Sequence, residues 1–151
     1  MRSDGDLVYV DTSIIVKTYL HEPDSKEAIA LLSRLTVATS EITELELCTT
    51  LHAAARARAL SKGALERLLR QVERDRNSWY RLALTAAVLD RAREIVASHP
   101  LRTLDAVHCA SAMVFAEAAL HDVAFATSDR RQREAAVALG FSCVELRRPA
   151  L

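Results

Sequence analysis

Four acidic residues carry most of the chemistry open to this sequence: Asp11, Glu46, Asp105 and Asp129. Asp11 ends the apolar run Leu7-Val8-Tyr9-Val10 and is followed by two small hydroxyl residues, Thr12 and Ser13. Glu46 falls in the second turn of a helix predicted to start at Ser40. Asp105 interrupts the apolar segment Leu104–Ala116, and Asp129 stands three residues past the run Val123–Ala126. Each acid alone has an ordinary structural explanation. Asp11 and Asp129 suit helix N-caps, and Asp105 complements a helix dipole. Glu46 has Glu41 and Glu44 beside it as surface charge. The surroundings of Asp11 and Asp105 point further, because an isolated carboxylate in an apolar setting is costly unless it is paired or bound to a metal. A cluster of carboxylates holds protons unless a cation neutralises it. Oxygen ligands with no Cys or His pair nearby select Mg²⁺ or Mn²⁺ over Zn²⁺. Such an ion polarises a phosphoryl oxygen and activates water, so the reading from residues alone is metal-dependent phosphodiester hydrolysis.

The elements that must position these acids follow from hydrophobic periodicity. Leu7–Val10 is apolar without alternation, the pattern of a strand buried on both faces. Helices are expected over Thr12–Leu20 and Ser25–Leu35, then a strand over Thr36–Thr39. Ser40 is a candidate N-cap for a helix running to about Ala59, and Ser61 starts another. Glu41–Asn77 thus forms a helical hairpin. Trp79–Leu84 has β character. Thr85–Ser98 is a helix with Ala86, Val88, Leu89, Ala92, Ile95 and Val96 inward. Thr103–Leu120 is the most apolar helix, with Leu104, Val107, Ala110, Val114 and Ala118 on one stripe. His121-Asp122 turns into the strand Val123–Ala126. The helix Arg130–Leu139 closes on Gly140 as its C′ residue. Ser142–Leu146 is a last short strand, and Arg147–Leu151 a tail. Alternating strands and helices specify an α/β domain with a mainly parallel sheet of about five strands, and right-handed crossovers put helices on both of its faces. In such a sheet function sits at the carboxyl ends of strands where strand order reverses. If the strands ending at Val10 and Ala126 are neighbours there, Asp11 and Asp129 meet.

Bulk properties narrow the class. A chain of 151 residues that is 50% hydrophobic, with six Gly and Pro in all, reads as one ordered domain over residues 1–151. The 20 basic and 20 acidic residues cancel, so overall charge gives no sign of a nucleic-acid partner. Three cysteines without CxxC spacing read as reduced thiols of a cytoplasmic protein. The polar start MRSDGDL lacks an apolar core for a signal peptide, and no apolar stretch is long enough to span a membrane.

Four segments, in order, resemble the PIN-domain ribonuclease family, most closely its VapC-type toxin branch: VYVDTSIIVKTYLHEP, TSEITELELCTTL, LRTLDAVHCASAMVF and AFATSDRRQREAAVALGF. They place the family's four acids on Asp11, Glu46, Asp105 and Asp129. The resemblance implies a PIN-like fold, a three-layer α/β/α sandwich, with Mg²⁺ or Mn²⁺ at the acids. It also implies cleavage of RNA, homodimerisation and inhibition by a small cognate antitoxin protein. It selects Glu46 over Glu44, since two residues on a helix point about 200° apart. Asp11 and Asp105 are then the principal metal ligands, with Glu46 and Asp129 completing the charge set. Ser13 and Thr127 support them by orienting water or phosphate, or act simply as caps. His108, one turn beyond Asp105, either reaches the site or packs as a core residue. The Arg-rich stretch Ser128–Arg133 either contacts RNA phosphates or is a solvated helix start. Leu31, Leu32, Leu51, Leu65 and Leu69 are candidates for a partner-helix groove, with core packing the commoner role. Two other functions compete. One is a non-catalytic PIN-like module that binds RNA or protein. The other is a phosphate-handling α/β enzyme of the receiver or haloacid-dehalogenase type. The latter class wants a second Asp two residues after the first, where this chain has Ser13.

Overall fold

The run Leu7–Val10 forms the middle strand of a five-stranded sheet ordered β3-β2-β1-β4-β5, with every neighbouring pair parallel. The computed structural model describes residues 7–120 and 122–146. In chain order its elements are β1 (Leu7–Val10), α1 (Thr12–Ile15), α2 (Ser25–Leu32), β2 (Thr36–Ser40), α3 (Ile42–Arg56), α4 (Lys62–Asp75), β3 (Tyr80–Leu82), α5 (Ala86–Ser98), α6 (Thr103–Ala119), β4 (Ala124–Ala126), α7 (Arg130–Ala138) and β5 (Cys143–Val144). The turn residue His121, the start 1–6 and the tail 147–151 lie outside the described residues.

Period-two alternation divides β1 between two cores. Val8 and Val10 pack with Ile14, Ile15, Ala28, Leu47, Leu51 and Val72, so α1 to α4 cover one face. Tyr9 packs with Phe125, Val88, Ala92, Ile95, Ala110 and Ala136, so α5 to α7 cover the other. This is the α/β/α sandwich, and its sheet is parallel throughout. Tyr9 stacks on Phe125 at 5.4 Å between ring centroids. All seven residues from Ala106 to Ala112 of α6 are buried, as a helix enclosed on all sides must be. Strand order reverses between β1 and β4, which pair in the register Val10↔Ala126. The chain therefore leaves both strands side by side, and the Asp11 amide donates to the Ala126 carbonyl at 2.9 Å.

Several boundaries differ from the sequence expectation. The helix after Asp11 ends at Ile15 and tightens into a 3-10 turn over Val16–Thr18, where the Thr18 hydroxyl bonds the Ile15 carbonyl at 2.7 Å. Lys17 bridges Glu22 and Asp24, both at 2.9 Å, and ties down the following loop. Ser40 is the last residue of β2, paired with Leu82, rather than the N-cap of α3, which is Glu41. Its Oγ accepts from the Ile42 amide at 3.3 Å. Helices α2 and α3 stop short of Leu35 and Ala59, and β3 and β5 keep only their central residues. Leu89, Val96 and Leu104 are 47%, 45% and 40% exposed, and Ala86 is exposed as well. The inward face of α5 is the narrower stripe Val88, Ala92 and Ile95. Leu51 is buried in the core, and Leu32, Leu65 and Leu69 pack against it. No helix among the described residues is long and apolar enough to cross a membrane.

Candidate active site

Asp11 is the first residue beyond β1 and caps α1, its Oδ2 accepting from the Ser13 amide at 3.1 Å. Its cap role and its place in the cleft coexist. The same amide that satisfies the carboxylate holds it at the sheet edge. Asp129 likewise caps α7, accepting from the Gln132 amide at 2.8 Å. Asp105 lies in the first turn of α6 and Glu46 in the second turn of α3. All four line one cleft of about 240 Å³, together with Thr12, Ser13, Val16 and Thr50. Glu44 points elsewhere: Arg76 grips it at 2.6 and 2.8 Å, and Arg81 lies at 3.8 Å.

Beneath the acids lies a buried polar network. His108 is 1% exposed, and its Nε2 stands 2.6 Å from Glu46 Oε1 and 3.5 Å from Asp11 Oδ1. The sequence left His108 between site and core, and it is a core residue that touches the site. Thr12 donates to Glu46 Oε1 at 2.8 Å. The Tyr9 hydroxyl meets His108 Nδ1 at 2.8 Å. On the other side Gln132, fully buried, donates to Asp11 Oδ1 at 3.2 Å and to the Asp105 carbonyl at 3.4 Å. Thr127 donates to Gln132 Oε1 at 2.6 Å and accepts from the Asp129 amide at 3.1 Å. A hydroxyl has one proton, so the Thr127 contact to Asp11 at 3.4 Å is the weaker of its two. Ser13 Oγ accepts from the Ser128 amide at 3.0 Å. Ser13 and Thr127 thus tie the loop after β4 to the start of α1.

Gln132 and Tyr9 were missed in the sequence. Gln132 had a signal: Asp129-Arg130-Arg131-Gln132 has the spacing of a capping box. Tyr9 had none, since in an apolar run without alternation it reads as one more buried strand residue.

Charge in the cleft is unbalanced. Burial, then the charges of Asp11 and Asp129, push the Asp105 carboxyl above its ordinary range. Burial alone lowers the His108 pKa, but the Glu46 hydrogen bond and the Asp11 and Glu46 charges outweigh it, so the imidazole titrates above its usual value. Burial and the Asp11 charge hold Tyr9 as a neutral phenol. Among the described residues, no three His, Cys, Asp or Glu side chains are already drawn into the spacing a metal ion needs. The donors nevertheless suit a hard divalent cation: they are carboxylate oxygens on one cleft, and their mutual repulsion is the strain such an ion relieves. A second cleft of about 210 Å³ adjoins the first, sharing Asp105 and Asp129 and lined by Pro100, Arg102, Arg130 and Arg131.

The sequence matches the PIN domain model over residues 8–138, and the chain belongs to the PIN domain family. Similar folds occur in FitAcB from Neisseria gonorrhoeae, at a TM-score of 0.70 and 19% identity over 92% of this chain and 97% of that one. Mycobacterium tuberculosis VapC20, described as a Sarcin-Ricin loop cleaving toxin, aligns at a TM-score of 0.62 and 20% identity over 94% and 99%. A toxin–antitoxin complex from Klebsiella pneumoniae aligns at 0.59 and 15% over 81% and 86%. A comparison with curated protein sequences finds no match.

Proposed function

We propose that this chain is a divalent-metal-dependent endoribonuclease and the toxin of a toxin–antitoxin pair. The observation that carries the proposal is the arrival of four acids, from four separated segments, in one cleft of a PIN-family sandwich. Asp11 and Asp105 would be the principal ligands of Mg²⁺ or Mn²⁺, with Glu46 and Asp129 completing the charge set. When bound, the ion supplies Lewis-acid activation of the scissile phosphate and its attacking water. The chain's own groups do the positioning. Thr12 orients Glu46, and Gln132 and the Ser13 amide hold Asp11. Arg102, Arg130 and Arg131, which line the adjoining cleft with Asp105 and Asp129, would hold flanking RNA phosphates. Forked guanidinium groups suit that task, and they offset the repulsion between an anionic cleft and an anionic substrate.

The toxin assignment draws on the similar structures described as a toxin and as a toxin–antitoxin complex. With it go a small antitoxin partner, homodimerisation and a cytoplasmic setting. The test is cleavage of a mixed RNA substrate by purified protein in Mn²⁺. Cleavage is expected to vanish with EDTA and in Asp11→Asn; full activity in either case refutes the proposal.

A further inference from the structure

Tyr9 and His108 do not line the cleft, yet the pair ends on the carboxylates that do. Tyr9 is fully buried and His108 nearly so, so both ring nitrogens need partners. Nε2 faces Glu46 Oε1 at 2.6 Å, Thr12 Oγ1 at 3.2 Å and Asp11 Oδ1 at 3.5 Å. Carboxylates only accept, so Nε2 carries a hydrogen. Nδ1 meets the Tyr9 hydroxyl at 2.8 Å, and the tyrosine ring is held by its stack on Phe125.

We propose that Tyr9 and His108 form a positioning relay, in which the Tyr9 hydroxyl fixes the imidazole so that Nε2–H holds the Glu46 carboxylate beside Asp11. Helix α6 then does two things at once: Asp105 faces the cleft directly, and His108, one turn on, sets an acid borne by α3. Partners of this kind behind a ligand fix its orientation, and their loss typically costs about 10–100-fold in metal affinity. The consequence for metal binding rests on the metal-centre reading above; the hydrogen-bond relay itself does not.

The test uses the full chain, with Mn²⁺ as the probe. A glutamine amide reaches the place of Nε2, whereas an asparagine amide reaches that of Nδ1. His108→Gln is expected to stay within a few-fold of the unsubstituted protein in Mn²⁺ calorimetry, and His108→Asn to lose about 10–100-fold. Imidazole ¹⁵N spectra of the metal-free protein should show hydrogen on Nε2, with altered shifts in Tyr9→Phe. Equal Mn²⁺ affinity in the two His108 variants, or a bare Nε2, overturns the relay. If His108→Asn loses its cooperative melt, Tyr9→Phe decides, because it keeps the ring and removes one hydroxyl. Unchanged Mn²⁺ affinity together with an unchanged imidazole spectrum in that variant overturns the relay. Absence of Mn²⁺ binding by the unsubstituted protein overturns the metal-centre reading, while the imidazole spectrum still decides the relay.

Discussion

Replacing Gln132 by Leu removes the link between three of the four acid-bearing segments while nearly conserving volume. The side chain makes three hydrogen bonds: one from Thr127, one to the Asp11 carboxylate and one to the Asp105 carbonyl. Bonds to a charged group contribute about 1.5–3 kcal/mol and neutral ones about 0.5–1.5 kcal/mol. The bond to the Asp105 carbonyl is long and belongs at the low end of its range. The gross loss is therefore about 3–5 kcal/mol. Burying a leucine in place of the amide returns about 1.5–3 kcal/mol. The expected net destabilisation is about 2 kcal/mol, most of it from a buried Asp11 that loses a donor. For a chain of this size that lowers Tm by about 4–8 °C. Urea denaturation followed by circular dichroism measures it, with the slope of the transition unchanged. Gln132→Glu should fall further, since it sets a second carboxylate against Asp11. The reasoning fails if Gln132→Leu unfolds within about 0.5 kcal/mol of the parent chain, the range of surface substitutions.

Asp105 titrates higher in the folded chain than in the unfolded one, so its ionised form weighs against folding. In metal-free protein, Asp105→Asn should raise Tm at neutral pH while abolishing RNA cleavage. The gain should shrink as the pH falls towards the ordinary carboxylate value of 3.8, and melting curves from neutral to acid pH check it. Arg102→Glu and Arg131→Glu, each combined with Asp11→Asn to prevent cleavage, should weaken RNA binding and flatten its salt dependence by about one unit of slope per phosphate contact, read by fluorescence anisotropy. Glu44→Gln should leave cleavage intact and Glu46→Gln should remove it, since Glu44 is held by Arg76 while Glu46 faces the cleft. Phe125→Ala should destabilise the chain by about 3–5 kcal/mol through the cavity left against Tyr9 and Phe141, measured by urea titration.

What could be read from the sequence depended on range. The strand Leu7–Val10, the Asp129 cap and Gly140 as a C′ residue, with its φ of 98°, are local events written in a few neighbouring residues. The reversal of strand order between β1 and β4 stood in the sequence only as a condition, because residue patterns mark strands and not their neighbours in the sheet. Exposure of Leu89 and Val96 was not legible, because periodicity shows which residues could face inward and the neighbouring elements decide how wide the buried stripe is. The 3-10 turn after Ile15 follows from a hydroxyl that competes for a backbone carbonyl, which apolar spacing does not register. The polar network was least legible. Tyr9 meets His108 across 99 residues and Asp11 meets Gln132 across 121, and such pairs exist only once the sheet has closed. Asp11 and Asp105 were visible because each stood out against an apolar background, and Glu46 was separated from Glu41 and Glu44 only by the family resemblance, whereas a buried glutamine looks like any other helix residue.

The central place of β1 has a consequence for synthesis. One of its edges is satisfied early by β2, but the other waits for β4, which leaves the ribosome only after β3 and the helices α3 to α6. A chain released before that point presents β1 with an open edge, and its Asp11 lacks Thr127, Asp129 and Gln132. Incomplete translation products thus carry Asp11 and Glu46 without the assembled cleft. The threading of the fold makes synthesis of β4 and α7 a condition for its acid cluster to exist.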